Sequence, residues 1–219
     1  MQMLFRLWLR LVQFGFYLLY NPLAWTYDTV SALVSLGQWQ SWGRAALNHL
    51  KAEPGARVLE LAHGPGHLQA ALQRAGYQVI GCDLSAAMGR IAQARLKQAD
   101  LPQRLIRSKA QRLPFCDGAF AALVSTFPTN FILEADTLRE AQRVLRRGGR
   151  LVIIPSASLT GRSPVVAFIE WLYRITGQRE KGALDEIHAL FARGGFELQI
   201  VEEKLGHSTV WVMIAIRMA

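Results

Sequence analysis

The segment that most constrains the fold is residues 58–72, which read VLELAHGPGHLQAAL. It runs from an apolar strand, through a turn that contains Gly64 and Gly66, into an amphipathic helix. Glycine adopts backbone dihedrals that other residues avoid and lets the backbone approach a ligand closely. The start of the helix presents free N–H groups at the carboxyl end of the strand. The pattern predicts a ligand-binding turn at the edge of a parallel sheet.

Strand and helix patterns alternate through the rest of the chain. The predicted strands are 57–61, 77–82, 119–125 and 150–154, and the predicted helices are 66–74, 85–98 and 134–145. This alternation is typical of an α/β fold, a Rossmann-like, doubly wound and mostly parallel sheet. Two β-rich runs, 196–205 and 208–218, are separated by Gly206 and His207 and predict an antiparallel C-terminal hairpin.

The chain of 219 residues is long enough for one substantial core. We predict two regions: N-terminal helices in residues 1–52 and a ligand-binding domain in residues 53–219. The N-terminal helices are expected at 3–20, 29–36 and 39–51. Within the domain, residues 156–183 are expected to form a substrate-side insertion with a helix at 164–176.

The first helix is almost wholly apolar, but Arg6, Arg10 and Gln13 fall on one narrow stripe. A membrane span would place Arg10 near the bilayer centre, at a cost of about 2.5 to 3.5 kcal/mol. We therefore expect an amphipathic helix that lies on the membrane, peripheral to the inner face of the cell membrane in a cytoplasmic protein. The alternative is that the same helix packs on the domain or on a second subunit as core.

The charge and the cysteine content of the chain favour some classes of binding partner and disfavour others. The formal charge is +9, and residues 139–181 contain nine Lys and Arg against three Glu, a net of +6. This basic stretch favours anionic lipid or an anionic substrate, or is a solvated surface. Its basic residues are not interleaved with aromatics in a reader motif, so we expect no nucleic-acid partner. The two cysteines, Cys82 and Cys116, lack the spacing of a metal site, and we expect both to be reduced.

Four segments in this order resemble the class I S-adenosylmethionine-dependent methyltransferases: VLELAHGPGHL, GCDLSAAM, RLPFCDGAFAALVS and LREAQRVLRRGGRLVIIP. The resemblance covers about residues 55–219 and implies S-adenosylmethionine as cofactor. It implies the following cofactor-binding residues: Glu60, Ala62, Gly64, Gly66, Asp83, Leu84, Ala110 and Ser125. Asp83 would bind the ribose hydroxyls and Leu84 would flank the adenine.

If the first helix is only a membrane anchor, removing residues 1–20 should leave cofactor binding nearly intact.

Two residues depart from the family pattern. Ala62 stands where the family usually has glycine, a mild change if the backbone there is not left-handed. Lys109 stands where relatives commonly have an aspartate that accepts the adenine amino group, so that contact would come from a backbone group such as that of Ala110.

The element upstream of the domain, YDTVSALVSLGQWQSW at 27–42, resembles that of the ubiquinone/menaquinone biosynthesis C-methyltransferases. Ser31 and Trp39 replace the usual Asn and His. The resemblance implies that Tyr27 and Asp28 close over the cofactor, whereas Asp28 could instead cap the second helix. Some phospholipid N-methyltransferases look similar in the same regions, so a phosphatidylethanolamine-type acceptor is the alternative to a quinol precursor.

His63 and Tyr27 are the candidate catalytic residues. A neutral imidazole at His63, or at His67, could take a proton from the acceptor, while the alternative is that His63 only fills its position and His67 is exposed. Ser125, Thr126, Phe127 and Pro128 follow a predicted strand at the edge where acceptors bind. The interfacial first helix, the element at 27–42 and the apolar insertion helix at 165–176 could each flank the acceptor end of one pocket, so we predict a methyltransferase with a lipophilic acceptor. A protein that binds S-adenosylmethionine without catalysis is the rival from another class.

Overall fold

The computed structural model describes residues 2–161, 164–175 and 184–218. The helices are α1 (Gln2–Tyr20), α2 (Tyr27–Ser35), α3 (Trp39–Arg44), α4 (His67–Arg74), α5 (Ala86–Gln98), α6 (Ala135–Val144), α7 (Pro164–Ile175) and α8 (Leu184–Arg193). Short 3-10 turns cover Ala24–Thr26, Ala45–His49 and Asn130–Leu133. The strands are β1 (Arg57–Leu61), β2 (Gln78–Asp83), β3 (Leu105–Arg107), β4 (Phe120–Thr126), β5 (Leu145–Leu159), β6 (Phe196–Leu205) and β7 (Ser208–Arg217).

The strands form one seven-stranded sheet in the order β3-β2-β1-β4-β5-β7-β6. Neighbours from β3 to β5 are parallel. β7 is antiparallel to both β5 and β6. The predicted Rossmann-like α/β fold with an antiparallel C-terminal hairpin is therefore confirmed. The chain leaves β1 toward β2 on one side and later returns to β4 on the other, which opens a crevice at the carboxyl ends of β1 and β4.

Successive residues of the strands pack on opposite faces of the sheet, as the pleat requires. Val58 belongs to one buried cluster, together with Trp42 of α3 and Leu68 of α4. Leu59 belongs to the other cluster, together with Leu138 of α6 and Phe191 of α8. Burying a side chain of this size contributes about 1.5 to 3 kcal/mol. These two clusters hold the strand ends, and hence the crevice, in a fixed frame.

Two strands differ from the prediction. The three-residue strand β3 was not predicted, because so short an edge strand has no alternating pattern and depends on pairing with β2. β5 was predicted at 150–154 but extends over Leu145–Leu159, since Leu145 at its first end pairs with Phe120 of β4 and residues 156–159 at its other end pair with β7. Residues 156–159 therefore belong to the sheet and not to the predicted insertion.

The helices also differ in places. α2 begins at Tyr27 instead of residue 29, and the helix predicted at 39–51 is divided into α3 and a 3-10 turn. α8 was not predicted. The insertion helix is present as α7, whereas residues 162–163 and 176–183 of the predicted insertion lie outside the described residues. Among the described residues, no helix combines the length and apolar character needed to cross a bilayer.

Candidate cofactor and acceptor site

The glycine turn follows β1 at the carboxyl edge of the sheet. Gly64 and Gly66 have left-handed backbones, with φ of +52° and +83°. A Cβ on Gly66 would lie 2.8 Å from the Cβ of Ala92 in α5, so this position requires glycine. A Cβ on Gly64 would meet no atom within 4 Å. The turn thus packs tightly against α5 at Gly66 and leaves room for a ligand at Gly64.

Ala62 is strained. Its φ is +54°, so the condition under which this replacement of glycine would be mild is not met. A left-handed backbone costs an L-residue about 1–2 kcal/mol. The N–H of Ala62 donates to the carbonyl of Cys82 at 2.7 Å, which ties the strained residue to the end of β2. The turn is therefore held in its shape by the neighbouring strand.

Asp83 lies at the end of β2, against the turn. Its Oδ2 accepts from the N–H of Gly64 at 2.9 Å, and its Oδ1 accepts from the N–H of Ser85 at 2.7 Å. A carboxylate oxygen can accept two hydrogen bonds, so each oxygen retains capacity for one more. The arrangement fixes the carboxylate and leaves two acceptor sites, a number that matches the two hydroxyls of a ribose.

A cleft lies at the carboxyl ends of β1 and β4, and Glu60 is a buried carboxyl that lines it, with 2% of its surface exposed. Burial, and secondarily the charge of Asp83, raises the pKa of Glu60 well above its ordinary value. In the orientation of the Gln69 amide that satisfies both neighbours, the nitrogen donates to Glu60 Oε2 at 3.2 Å and the oxygen accepts from Gly81 N at 2.7 Å. Glu60 is thus a fixed carboxyl whose negative charge is costly unless a cation is near.

His63 is buried within the turn and lines the cleft. Its Nδ1 lies 2.8 Å from the carbonyl oxygen of Gly64. Because a carbonyl oxygen can only accept, Nδ1 carries the proton, and Nε2 of the neutral ring has a free lone pair. Burial lowers the pKa of His63, although the charge of Asp83 opposes the effect. His63 is therefore a neutral imidazole at pH 7 that can accept a proton at Nε2.

Three aromatic rings form a wall of the cleft: Tyr27, Trp39 and Phe127. Trp39 stacks on Phe127 with ring centroids 4.0 Å apart, and Tyr27 meets Trp39 edge-on at 6.2 Å. Phe127 has a left-handed backbone with φ of +49°, an unusual conformation for a bulky residue beside a cleft. Aromatic faces attract a positively charged group and suit an apolar one. The wall therefore fits a cation or a flat apolar acceptor.

Tyr27 is a candidate catalytic residue whose chemistry the structure restricts. Burial, followed by the neighbouring Tyr20, raises its pKa well above the ordinary value of 10.0. A phenol that stays protonated at pH 7 cannot serve as a base. Tyr27 is thus suited to position a ligand and not to remove a proton from it.

Asp28 joins α2 to the turn through what we call the clasp: Asp28, His67, Arg95 and the Pro65 carbonyl. Oδ1 of Asp28 accepts from His67 Nε2 at 2.8 Å, and Oδ2 accepts from Arg95 at 2.5 Å. Arg95 also donates to the carbonyl of Pro65 at 2.6 Å. Asp28 forms no side-chain cap on α2, so the capping alternative is wrong. His67 is half-buried, contrary to the alternative that it is simply exposed.

The clasp sets the charges of its members. Burial tends to raise the pKa of Asp28, but the hydrogen bond from His67 and the charge of Arg95 outweigh it and hold the pKa below 3.8. Burial lowers the pKa of His67, so its ring is neutral at pH 7 and donates through Nε2–H. Sequence reasoning missed Arg95. A signal was available, since Arg95 lies three residues after the buried Ala92 and so close to the inward face of its helix.

Ser125 was predicted to be a site residue, but its side chain does not line the cleft. It is fully buried, and its hydroxyl donates to the carbonyl of Leu61 at 2.9 Å, which joins β4 to β1. The next residues, Thr126 and Phe127, line the cleft instead. The side chains of β4 alternate between the two faces of the sheet, so a shift of one residue changes which of them reaches a ligand.

The residues predicted to lie near the adenine are more exposed than those that line the cleft. Leu84 is 55% exposed beside Asp83, and Arg107 Nε donates to its carbonyl at 2.9 Å. Ala110 is partly buried and Lys109 is exposed. The cleft itself is lined by the following residues: Tyr27, Trp39, Gln40, Gly43, Arg44, Glu60, Ala62, His63, Gly64, Pro65, His67, Leu68, Thr126 and Phe127. Gln40 and Arg44, on α3, were not among the predicted site residues.

Comparison with solved structures supports the fold. The structure is similar to that of geranyl diphosphate C-methyltransferase from Streptomyces coelicolor A3(2), solved with Mg²⁺, geranyl diphosphate and S-adenosyl-L-homocysteine. The TM-score is 0.64 at 19% identity, covering 88% of this chain and 84% of that one. At this identity the likeness shows the shared fold alone.

Sequence comparison is more specific. The chain is 39% identical over 136 residues to the demethylmenaquinone methyltransferase of Beutenbergia cavernae, covering 62% of this chain and 55% of that protein. It is 31% identical over 175 residues to the demethylmenaquinone methyltransferase of a Parafrankia species, covering 71% of this chain and 68% of that protein. The chain thus spans about half to two thirds of the length of these relatives. Because the profile of the ubiE/COQ5 methyltransferase family matches residues 17–186, the chain belongs to that family.

Proposed function

We propose that the protein is an S-adenosylmethionine-dependent methyltransferase whose acceptor is lipophilic, a quinol first and a phospholipid amine second. The observation that carries the proposal is the Asp83 carboxylate, fixed between the N–H groups of Gly64 and Ser85. Each oxygen retains capacity for one more hydrogen bond, and the carboxylate lies beside the turn at which a nucleoside binds in this fold. The family of the chain and the names of its relatives point the same way.

The residues of the cleft fit this cofactor. When bound, S-adenosylmethionine supplies a methyl group on a positively charged sulfur, and the acceptor that receives the methyl group loses a proton. The rings of Tyr27, Trp39 and Phe127 offer faces to a positive charge. The buried carboxyl of Glu60 is stabilised in its charged form by a nearby cation such as an amino group. The open space at Gly64 admits a ligand close to the backbone.

His63 is the residue of the cleft best suited to remove the acceptor proton. Its Nδ1–H is committed to the Gly64 carbonyl, so the free lone pair is on Nε2. Its lowered pKa keeps the ring neutral at pH 7. The remaining catalysis would come from alignment of the reacting atoms, since methyl transfer requires them in line, and from exclusion of water by α2, which we propose closes over the cofactor as a lid.

The apolar surface supports a lipophilic acceptor. Val166 and Ile169 of α7 pack against the same core cluster as Trp39 and Phe127, which supports a position of α7 on the face of the sheet that carries the aromatic wall. Val165, Phe168 and Trp171 of this helix are about half exposed, at 55%, 61% and 49%. A water-soluble acceptor gives no reason for apolar side chains near the mouth of the cleft.

We also propose that the protein is peripheral to the inner face of the cell membrane. On α1, Leu11, Phe14 and Tyr17 are more than half exposed, and Arg10 and Gln13 are exposed beside them. Apolar and basic side chains together suit an anionic bilayer surface, and the net charge of +9 favours it.

The cofactor half of the proposal is tested by calorimetric titration of S-adenosylmethionine. The wild-type protein should bind in the micromolar range. Asp83→Ala should bind at least about tenfold more weakly, because two hydrogen bonds to a charged group are lost. Asp185→Ala, at an exposed position on α8, is the matched control and should not change affinity. An unchanged affinity in Asp83→Ala would show that the ribose assignment is wrong.

A further inference from the structure

The last residue of α1 reaches the cofactor side of the cleft. The hydroxyl of Ser85 donates to the backbone carbonyl of Tyr20 at 2.6 Å. The N–H of Ser85 donates to Asp83 Oδ1 at 2.7 Å. A single residue thus connects the end of α1 with the carboxylate assigned to the ribose. The same Ser85 hydroxyl accepts from Met88 N at 3.1 Å as the N-cap of α5, so its position is fixed.

The side chain of Tyr20 lies on the same side. Its ring is 5.8 Å from that of Tyr27, which lines the cleft. It packs against the buried cluster of Ala24, Tyr27 and Met88. Burial and, secondarily, the negative charge of Asp83 raise the pKa of Tyr20 to about 12. The hydroxyl is therefore neutral at pH 7, lies within the field of Asp83, and can donate a hydrogen bond.

We propose that Tyr20 is a cofactor-contacting residue, which closes the ribose subsite opposite Asp83 and makes α1 part of that subsite. The inference rests on the proposed function, since it assumes that Asp83 holds the ribose. Tyr20 is linked to the carboxylate through the single residue Ser85, and its ring lies beside the cleft residue Tyr27, so a diol bound to Asp83 would lie next to it. The ring of Tyr20 covers the bound sugar, and its hydroxyl donates to a ribose oxygen or to the carboxylate.

This assignment reverses one expectation drawn from the sequence. A helix that served only as an anchor could be removed without effect on the cofactor. Removal of residues 1–20 instead takes away the ring of Tyr20 and the carbonyl that Ser85 donates to. We therefore expect the truncated protein to bind S-adenosylmethionine more weakly than the full chain.

The test is calorimetric titration of S-adenosylhomocysteine into the full chain and three variants. Tyr20→Ala should weaken binding at least about tenfold, and Tyr20→Phe about threefold to tenfold, which corresponds to one hydrogen bond of 0.5–1.5 kcal/mol. The matched control is Tyr17→Ala, at a tyrosine on the same helix that is 59% exposed, and it should stay within about twofold of the wild type. Circular dichroism and thermal unfolding of each ligand-free variant verify that it is folded.

The outcomes separate this inference from the proposed function. If Tyr20→Phe and Tyr20→Ala are both folded and bind S-adenosylhomocysteine as tightly as the wild type, the role of Tyr20 is overturned. The cofactor assignment then still stands, because the wild type binds. If Tyr20→Ala does not fold, Tyr20→Phe alone decides, because it retains the ring and loses only the hydroxyl. A wild-type protein that binds neither S-adenosylhomocysteine nor S-adenosylmethionine overturns both proposals.

Discussion

At the scale of single residues, His63 has the proton arrangement that a base needs. The Gly64 carbonyl accepts from Nδ1, so the ring is held with Nε2 free. Replacement of a general base lowers kcat by about 10²- to 10⁴-fold. We expect His63→Gln to lower kcat to this extent while S-adenosylmethionine binds as in the wild type. If His63 only fills space, the glutamine variant will instead turn over at close to the wild-type rate.

The pH dependence of the wild-type rate gives a second readout of His63. The base acts in its neutral form, so the rate falls when the pH drops through its pKa. Since burial places that pKa below 6.5, the acid limb of kcat should lie below pH 6.5 and should be absent from His63→Gln. The measurement is kcat from pH 5 to 9 with saturating cofactor. An identical acid limb in the variant would assign it to another group.

Ala62 and Ser125 show what the sequence could not predict about single residues. Both occupy positions that the family resemblance marks as cofactor-binding. The residue type does not determine the backbone conformation, so the φ of +54° at Ala62 was not predictable. Nor does it determine which residue at a strand end faces the cleft, which is why Ser125 is buried while Thr126 lines it.

At the scale of elements, the clasp connects α2 to the glycine turn through Asp28, which accepts hydrogen bonds from both His67 and Arg95. Arg95 donates to Asp28 and to the Pro65 carbonyl, and a hydrogen bond to a charged group contributes about 1.5–3 kcal/mol when shielded from water. Asp28 is 44% exposed, so we take the lower part of that range. Closure of the lid should therefore depend on Arg95.

We expect Arg95→Met to raise KM for S-adenosylmethionine by about fivefold to thirtyfold, with a smaller change in kcat, because the lid opens while the residues that line the cleft are intact. Arg90→Met, at an exposed arginine on the same helix, is the matched control and should leave KM unchanged. Steady-state kinetics with varied cofactor provide the comparison. Equal KM values for the two variants would rule out the clasp as a positioning device.

We also expect closure by the clasp to depend on pH. The pKa of Asp28 is lowered, so the stabilisation from its charged form is present above the ordinary value of 3.8 and is lost as the pH falls through the lowered pKa. Closure by Asp28 should accordingly persist through the pH range in which His63 titrates. His67 also has a pKa lowered from 6.5, so its protonation overlaps the range in which His63 titrates, and loss of the acid limb in His63→Gln is what assigns that limb to His63.

Most elements were predictable, both near the glycine turn and in the C-terminal hairpin, where β6 and β7 also lie within one residue of prediction. β1, α4, β2 and α5 lie within one residue of prediction because local periodicity and the turn residues specify them. β3 and the ends of β5 depend on partners elsewhere in the sheet. The clasp joins residues that are 39 and 67 positions apart, so no local pattern could reveal it.

At the scale of the whole molecule, α1 has an exposed apolar face and ends at Tyr20, whose carbonyl accepts from Ser85. We expect Phe14→Glu, combined with Leu11→Glu, to reduce sedimentation with anionic phosphatidylglycerol vesicles more than tenfold. Burying two such side chains contributes several kcal/mol, at about 1.5 to 3 kcal/mol each. Val201→Glu, at an apolar residue of β6 that is 38% exposed, is the control and should sediment as the wild type. Equal sedimentation of all three proteins would contradict membrane contact through α1.

The central claim is that the cleft transfers a methyl group to a lipophilic acceptor, and product analysis tests it most directly. The wild-type protein is incubated with methyl-labelled S-adenosylmethionine and a reduced total extract of lipids and quinones, with Asp83→Ala in parallel. We predict label in the quinone fraction for the wild type and at least about tenfold less for the variant. Label confined to the aminophospholipids would replace the quinol acceptor by a phospholipid amine. Binding of S-adenosylmethionine with no label in any lipid fraction would contradict the account and favour a protein that binds the cofactor without catalysis.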